Sequence, residues 1–394
     1  MKIIHTGDWH IGKIVNEFSM IEDQKFYLDR LIELLEEEKP DVFIIAGDIY
    51  DRSVPPAEAV EVLDNVLSKI ILQLNIPVLA ISGNHDSPER LSFGSKLLKD
   101  KGLYIEGMFN KEIKKVTIKD EFGNVNFYLL PYVDPAKVRL VYKIDHIRTY
   151  DDAMKFLIGE IEKDINKEER NVLITHGYVT FNMEDKENKG DLELSDSERP
   201  LSIGGTDLID GRNFDLFNYV ALGHLHGPQK VGGNRIRYSG SLLKYSISEC
   251  RQKKSIPIIN LNNAGDVEVE LREIPVLRDM RVIEGPLDAL INRETHSGDN
   301  LNDYVFVNLT DEGEVIDAIS KLRAVFPNVM GLKMVNATVR DADSRTSASG
   351  NFREKSMTEL FSDFYLSIKG KSMDDERVEV FNNILEESKG GRYR

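Results

Sequence analysis

Only one of the 394 residues is cysteine, Cys250, and only one is tryptophan. A lone thiol excludes an intramolecular disulfide framework and a cysteine-based zinc site. Flanked by Glu249 and Arg251, with no histidine beside it, Cys250 reads as an inert thiol. No apolar run approaches the roughly 18 residues that span a bilayer, so no membrane segment is expected. The opening stretch MKIIHTGDWH turns polar within five positions and leaves no room for a signal-peptide apolar region, which makes the cytoplasm the expected location. Positive charge is also short. Fifty-one Lys and Arg against 67 Asp and Glu give −16, which argues against broad adhesion to nucleic acid but allows a local basic or metal-filled groove. A nucleotide-binding loop is missing as well: Lys371 and Ser372 follow Gly370, but position 365 is Tyr where that motif needs Gly.

What is present is an alternation of short apolar runs and amphipathic helices, the pattern of an α/β layer architecture. Ile3 to Thr6, Val42 to Ala46 and Val78 to Ser82 read as buried strands, with helices over Glu22 to Glu38 and Ala57 to Leu74 between them. A hairpin about Phe122-Gly123-Asn124 and a helix over Asp151 to Lys167 are expected next, followed by a strand at Val172 to Thr175. Residues 182 to 199 carry many charges without an apolar period and read as a long surface loop. Strands at Tyr219 to Leu222, Ile236 to Tyr238, Ile256 to Leu261 and Val267 to Leu271 imply a second sheet. Two sheets face to face with helices outside account for residues 1–274. Residues 275–340 read as a small α+β domain, and 341–355 (DADSRTSASG and onward) as a linker. Residues 356–394 carry two short helices whose apolar positions are too many to leave exposed.

The chemistry-bearing residues collect at strand ends: Asp8 and His10 in GDWH, Asp48 and Asp51 in GDIYD, Asn84, His85 and Asp86 in GNHD, His176 in THG, and His224 and His226 in GHLH. An Asp-x-His or His-x-His pair leaving an extended strand puts both side chains on one side, because side-chain direction alternates with period two. Carboxylates, an amide and several imidazoles converging on one sheet edge exceed the needs of one tetrahedral ion. A two-metal site suits them better, as used for in-line displacement at phosphorus. Mixed carboxylate and imidazole donors suit Mn²⁺, Fe²⁺ or Zn²⁺, and Mn²⁺ is the favoured ion. His5, His146 and His296 lie outside these clusters and read as structural or solvated.

In order and spacing, these clusters resemble the calcineurin-like metallophosphoesterase superfamily. GDWHIGK, GDIYDRSVPP, SGNHDSPERL, ERPLSIGGTD, GHLHGPQ and YSGSLLKYSISE narrow the likeness to its nuclease subunits of DNA double-strand-break repair complexes. The resemblance implies a metallophosphoesterase sandwich with a small α+β capping domain and a C-terminal helical hairpin. It implies that Asp8, His10 and His226 hold one metal, that Asn84, His176 and His224 hold the other, and that Asp48 bridges them. His85 is then the residue that stabilises the pentavalent phosphorus or protonates the leaving oxygen, with Asp51 orienting its ring; Asp86 reads as a loop-stabilising acceptor.

The activity implied is Mn²⁺-dependent cleavage of DNA, as an exonuclease on double-stranded ends and an endonuclease on single strands and hairpins. Residues 275–340 correspond to a DNA-capping domain and the helix pair to the segment that grips an SMC-like ATPase of the SbcC type. A homodimer within a heterotetramer is implied too, formed through Pro55 to Leu74 and Pro88 to Lys99. Lys13, Arg52 and Arg90 lie in loops beside the expected ligands and are candidate DNA phosphate contacts. The alternative within the superfamily is a phosphomonoesterase or cyclic-nucleotide phosphodiesterase, for which a second domain and a helix pair have no evident use.

Overall fold

The computed structural model describes residues 1–184, 192–198, 207–292, 296, 298, 300–311, 315–335, 356–369 and 372–390. The expected linker over 341–355 lies outside them. The chain divides into two compact units, Met1–Arg281 and Val282–Arg394. Among the described residues no helix is long and apolar enough to cross a membrane.

The first unit holds two six-stranded sheets. In the first, Lys2–Thr6, Val42–Ala46, Val78–Ile81 and Leu103–Glu106 run parallel. Ile256–Leu261 pairs antiparallel with Lys2–Thr6, and Val267–Arg272 pairs antiparallel with Ile256–Leu261. These last two strands were expected in the second sheet. Periodicity marks them as strands but cannot name their partner, which here lies some 250 residues upstream in the register Lys2 to Asn260. In the second sheet Gly123–Leu129, Arg170–His176, Tyr219–Gly223 and Gly233–Tyr238 run parallel, with Lys114–Asp120 and Gln229–Val231 added antiparallel at the two edges. Strands that are buried on both faces read as continuous apolar runs.

Alternate residues of both sheets meet in the middle: Ile3, Val42, Ile44, Ala46, Leu79 and Ile81 from the first, Val125, Phe127, Val172, Ile174, Tyr219 and Ala221 from the second. The outer face of the second sheet packs on the helix Tyr150–Glu162 through Met154, Leu157, Ile158 and Ile161. That helix opens on a capping box between Thr149 and Asp152 and ends at Glu162, five residues before the expected end. The helix expected over Ala57 to Leu74 is α-helical to Ser68 and finishes in a π turn, Lys69–Gln73. The stretch from Pro88 to Lys99 is two short helices, Pro88–Leu91 and Ser95–Leu98, parted at Gly94, where φ is 76°. Leu63 and Val66 are buried in the chain's own core, whereas Phe93 and Leu97 are 90% and 83% exposed.

From the unit boundary onward, Met280–Gly285, Tyr304–Leu309 and Val329–Met334 form a three-stranded sheet, of which the last two run parallel. Val305, Val307, Leu309, Leu322 and Phe326 are its core. The C-terminal helices Met357–Lys369 and Asp375–Gly390 meet through Phe361 and Phe381, whose rings stack at 4.0 Å.

Candidate metal centre

The parallel strands of both sheets end on the same side, and their exits carry the site. Backbone approach there is so close that a Cβ at Gly223 would collide with the Ala46 carbonyl oxygen, and one at Gly83 with the Asp48 carboxylate. Glycine at these two positions lets the sheets close on the centre. The exits are also strained. Asp8, His10, Asp48 and His224 all have positive φ, at 51°, 47°, 48° and 107°. Such conformations cost on the order of 1–3 kcal/mol each and gather at functional sites.

The donor atoms fall into two groups. In one, His10 Nε2 and His226 Nε2 face each other at 3.1 Å, and Asp8, His10 and Asp48 offer ligand atoms within 4.8 Å of one another. In the other, Asn84 Oδ1 lies 2.9 Å from both His176 Nε2 and His224 Nδ1, which are 3.3 Å apart. Asp48 stands between them, its Oδ2 3.8 Å from His10 Nε2 and 3.4 Å from His176 Nε2. Its other oxygen, Oδ1, is held by the backbone N–H of His85 at 2.8 Å. Asp8 is fixed similarly, accepting from the His224 N–H.

The electrostatics of the protein alone are those of a cage short of positive charge. Burial drives the Asp8 carboxyl well above its usual value, helped by Asp48. Burial also pushes Asp48 up, but the facing His176, His10 and His85 more than offset this and hold it well below. His176 is raised to about 9, since Asp48 outweighs the burial that would lower it. His10 is lowered to about 3 by burial, and its Nδ1 has no hydrogen-bond partner among the described residues. Convergent lone pairs with too few protons between them, beside two buried carboxylates, fit a pair of divalent cations.

A family model described as calcineurin-like phosphoesterase matches residues 1–228. The chain belongs to the calcineurin-like phosphoesterase family. It is accordingly a metal-dependent hydrolase, and the family uses divalent metals. A second model, the SbcD C-terminal domain, described as the Type 5 capsule protein repressor C-terminal domain, matches residues 276–368. Together the two support an SbcD-type nuclease subunit. Solved structures similar to the phosphoesterase chain include TT1561 of Thermus thermophilus, at 10% identity and a TM-score of 0.37 over 68% of this chain and 98% of that one. A dimetal phosphatase from Danio rerio matches at 11% and 0.37 over 70% and 98%. YfcE, a phosphoesterase from E. coli, matches at 12% and 0.26 over 70% and 100%.

Around the phosphoesterase donors stand the other residues that the sequence singled out. The His85 ring packs edge-on to His10 at 4.7 Å. Its Nδ1 meets Asp51 at 2.9 Å, but through the backbone carbonyl. Asp51 thus reaches the His85 ring through its main chain, while its carboxylate accepts from Lys13 Nζ at 2.8 Å and lies 3.6 Å from His10 Nδ1. Lys13, expected at a DNA phosphate, pairs with Asp51 and lies over the face of Tyr245. Arg52 and Arg90 are exposed. Asp86 accepts from the N–H groups of Ile49, Tyr50 and Gly83, binding the Asp48 and Asn84 loops together. Burial, then Asp48, raises it to about 7.

Of the three histidines set aside, His5 is buried with Nδ1 2.9 Å from the Tyr219 hydroxyl, His296 Nε2 meets the Leu290 carbonyl, and His146 is exposed. The sequence reading missed Glu198, Glu249 and Lys254, which surround His226. Glu198 and Glu249 stood in motifs it quoted, but their polar and charged sequence neighbours carry no signal of burial.

Proposed function

We propose that this chain is a Mn²⁺-dependent DNA nuclease subunit, an exonuclease on double-stranded ends and an endonuclease on single strands and hairpins. It would act with an SMC-like ATPase of the SbcC type in DNA end processing, repair and recombination. The observation that carries the reading is the pair of donor groups joined by Asp48, with His85 at their edge. Asp8, His10 and His226 would hold one ion, Asn84, His176 and His224 the other, and Asp48 both. When bound, such a pair supplies Lewis acidity at the phosphoryl oxygens and a nucleophile at neutral pH.

The protein's own contribution centres on His85. A carbonyl oxygen only accepts, so the Asp51 contact fixes the His85 proton on Nδ1 and leaves Nε2 as the atom that takes up or gives a proton. Protonated at both nitrogens, His85 can donate from Nε2 to the leaving oxygen of the DNA strand. Lys13, Arg52 and Arg90 are the proposed phosphate contacts, the two arginines exposed and Lys13 paired with Asp51. Residues 275–340 would cap the DNA.

Purified protein with Mn²⁺ is expected to shorten oligonucleotide duplexes labelled at the 3′ or 5′ end, the label reporting polarity. Hydrolysis of para-nitrophenyl phosphate with DNA left intact would contradict the reading. The proposed homodimer would cover Phe93 and Leu97, and the proposed ATPase contact would use the helix pair, where Val380 and Ile384 are exposed. Leu97→Asp is expected to dissociate the dimer and Val380→Asp to release the ATPase, both read by sedimentation velocity. A species that sediments unchanged contradicts the surface concerned.

A further inference from the structure

His226 is gripped at three points by ionisable side chains, of which Glu249 and Lys254 are buried and Glu198 half-buried. Its backbone N–H donates to Glu198 Oε1 at 2.8 Å and its carbonyl accepts from Lys254 Nζ at 2.7 Å. Its ring Nδ1 lies 2.7 Å from Ser197 Oγ and 3.2 Å from Glu249 Oε1. Glu249 is fully buried and Lys254 nearly so, and they pair at 2.6 Å.

The direction of the hydrogen bonds follows from the carboxylate, which only accepts. Ser197 Oγ donates its one proton to Glu249 Oε1, so toward His226 the same oxygen must accept. Ser195 Oγ also donates to Glu249, at 2.8 Å. The proton on His226 is thus fixed at Nδ1, and the bare lone pair of Nε2 points at His10 Nε2. The His10 Nδ1 stands 3.6 Å from Asp51 Oδ1 and has no hydrogen-bond partner among the described residues.

We propose that Glu249, held by Lys254, is a positioning residue for the metal centre: it sets the tautomer and aim of His226 and ties residues 195–198 to the same ion. The proposal rests on the two-ion reading of the site and not on DNA as its substrate. A buried ion pair is weak evidence for stability alone, because desolvation can exceed the attraction. A carboxylate behind a metal-ligating imidazole typically contributes about 10–100-fold in affinity.

The test is calorimetric titration with Mn²⁺ alone, on the full chain and without DNA. Glu249→Gln leaves the Lys254 ammonium buried without its carboxylate and can unfold the protein. The double variant Glu249→Gln/Lys254→Met removes both charges and is the one to read, alongside the melting temperature of the metal-free protein. The expected result is two Mn²⁺ sites in the wild type and, in the double variant, one site weakened about 10–100-fold with the other unchanged. Two wild-type sites with both affinities kept in the variant overturn the proposal alone. Fewer than two in the wild type overturn the two-ion reading and the proposal with it.

Discussion

His85→Gln is expected to slow metal-dependent DNA cleavage by about 10²–10⁴-fold while both Mn²⁺ ions stay bound, the range contributed by one positioned acid or base. The separation of the two effects comes from geometry. His85 holds the Asp48 carboxylate through its backbone N–H, which any side chain retains, and offers its ring from the edge of the cage. Glutamine fills a similar volume and can still donate to the Asp51 carbonyl, but it cannot carry a proton to a leaving oxygen. The variant should therefore lose rate rather than DNA affinity. Single-turnover cleavage beside Mn²⁺ titration reads both, and a variant that loses its metals would place His85 among the ligands instead.

Asp48→Asn is expected to have the larger effect, lowering cleavage by at least about 10³-fold, since losing several kcal/mol of charge stabilisation costs a factor of ten for each 1.36 kcal/mol. The amide keeps Oδ1 as an acceptor for the His85 N–H but takes a negative charge from between the two donor groups. In the wild type, Mn²⁺ at 100 times its dissociation constant should stabilise the fold by about 2.7 kcal/mol. The variant should show little of that rise in melting temperature. Without metal its stability at neutral pH should fall below the wild type's, because the attraction of His176, His10 and His85 that holds Asp48 well below its usual value is lost, and relief of Asp8 and Asp86 returns only part of it. A full Mn²⁺-induced rise in the variant would contradict a bridging role.

Much of this was legible in the sequence because the site is built at strand ends. A buried parallel strand such as Val42–Ala46 announces itself as an apolar run, and the polar residues that follow are where an α/β sheet places its ligands. What stayed hidden depends on long-range geometry. The Ile256–Leu261 strand looks the same whichever sheet it joins, and only the free edge of Lys2–Thr6 decides. Asp51 was picked out, yet its carbonyl rather than its carboxylate reaches His85, a distinction that side-chain chemistry cannot anticipate. That the Lys13 ammonium pairs with the Asp51 carboxylate is likewise a contact that only the fold makes. Glu249 and Lys254 lie five positions apart in a charged stretch, and a buried pair there reads in sequence as a solvated one.

The most direct test of the two-ion centre is a crystal of the full chain soaked in Mn²⁺, with anomalous scattering recorded at the manganese edge. Two peaks roughly 3.5–4 Å apart are predicted on either side of the Asp48 carboxylate, one among Asp8, His10 and His226 and the other among Asn84, His176 and His224. A single peak, or peaks away from Asp48, would contradict the account.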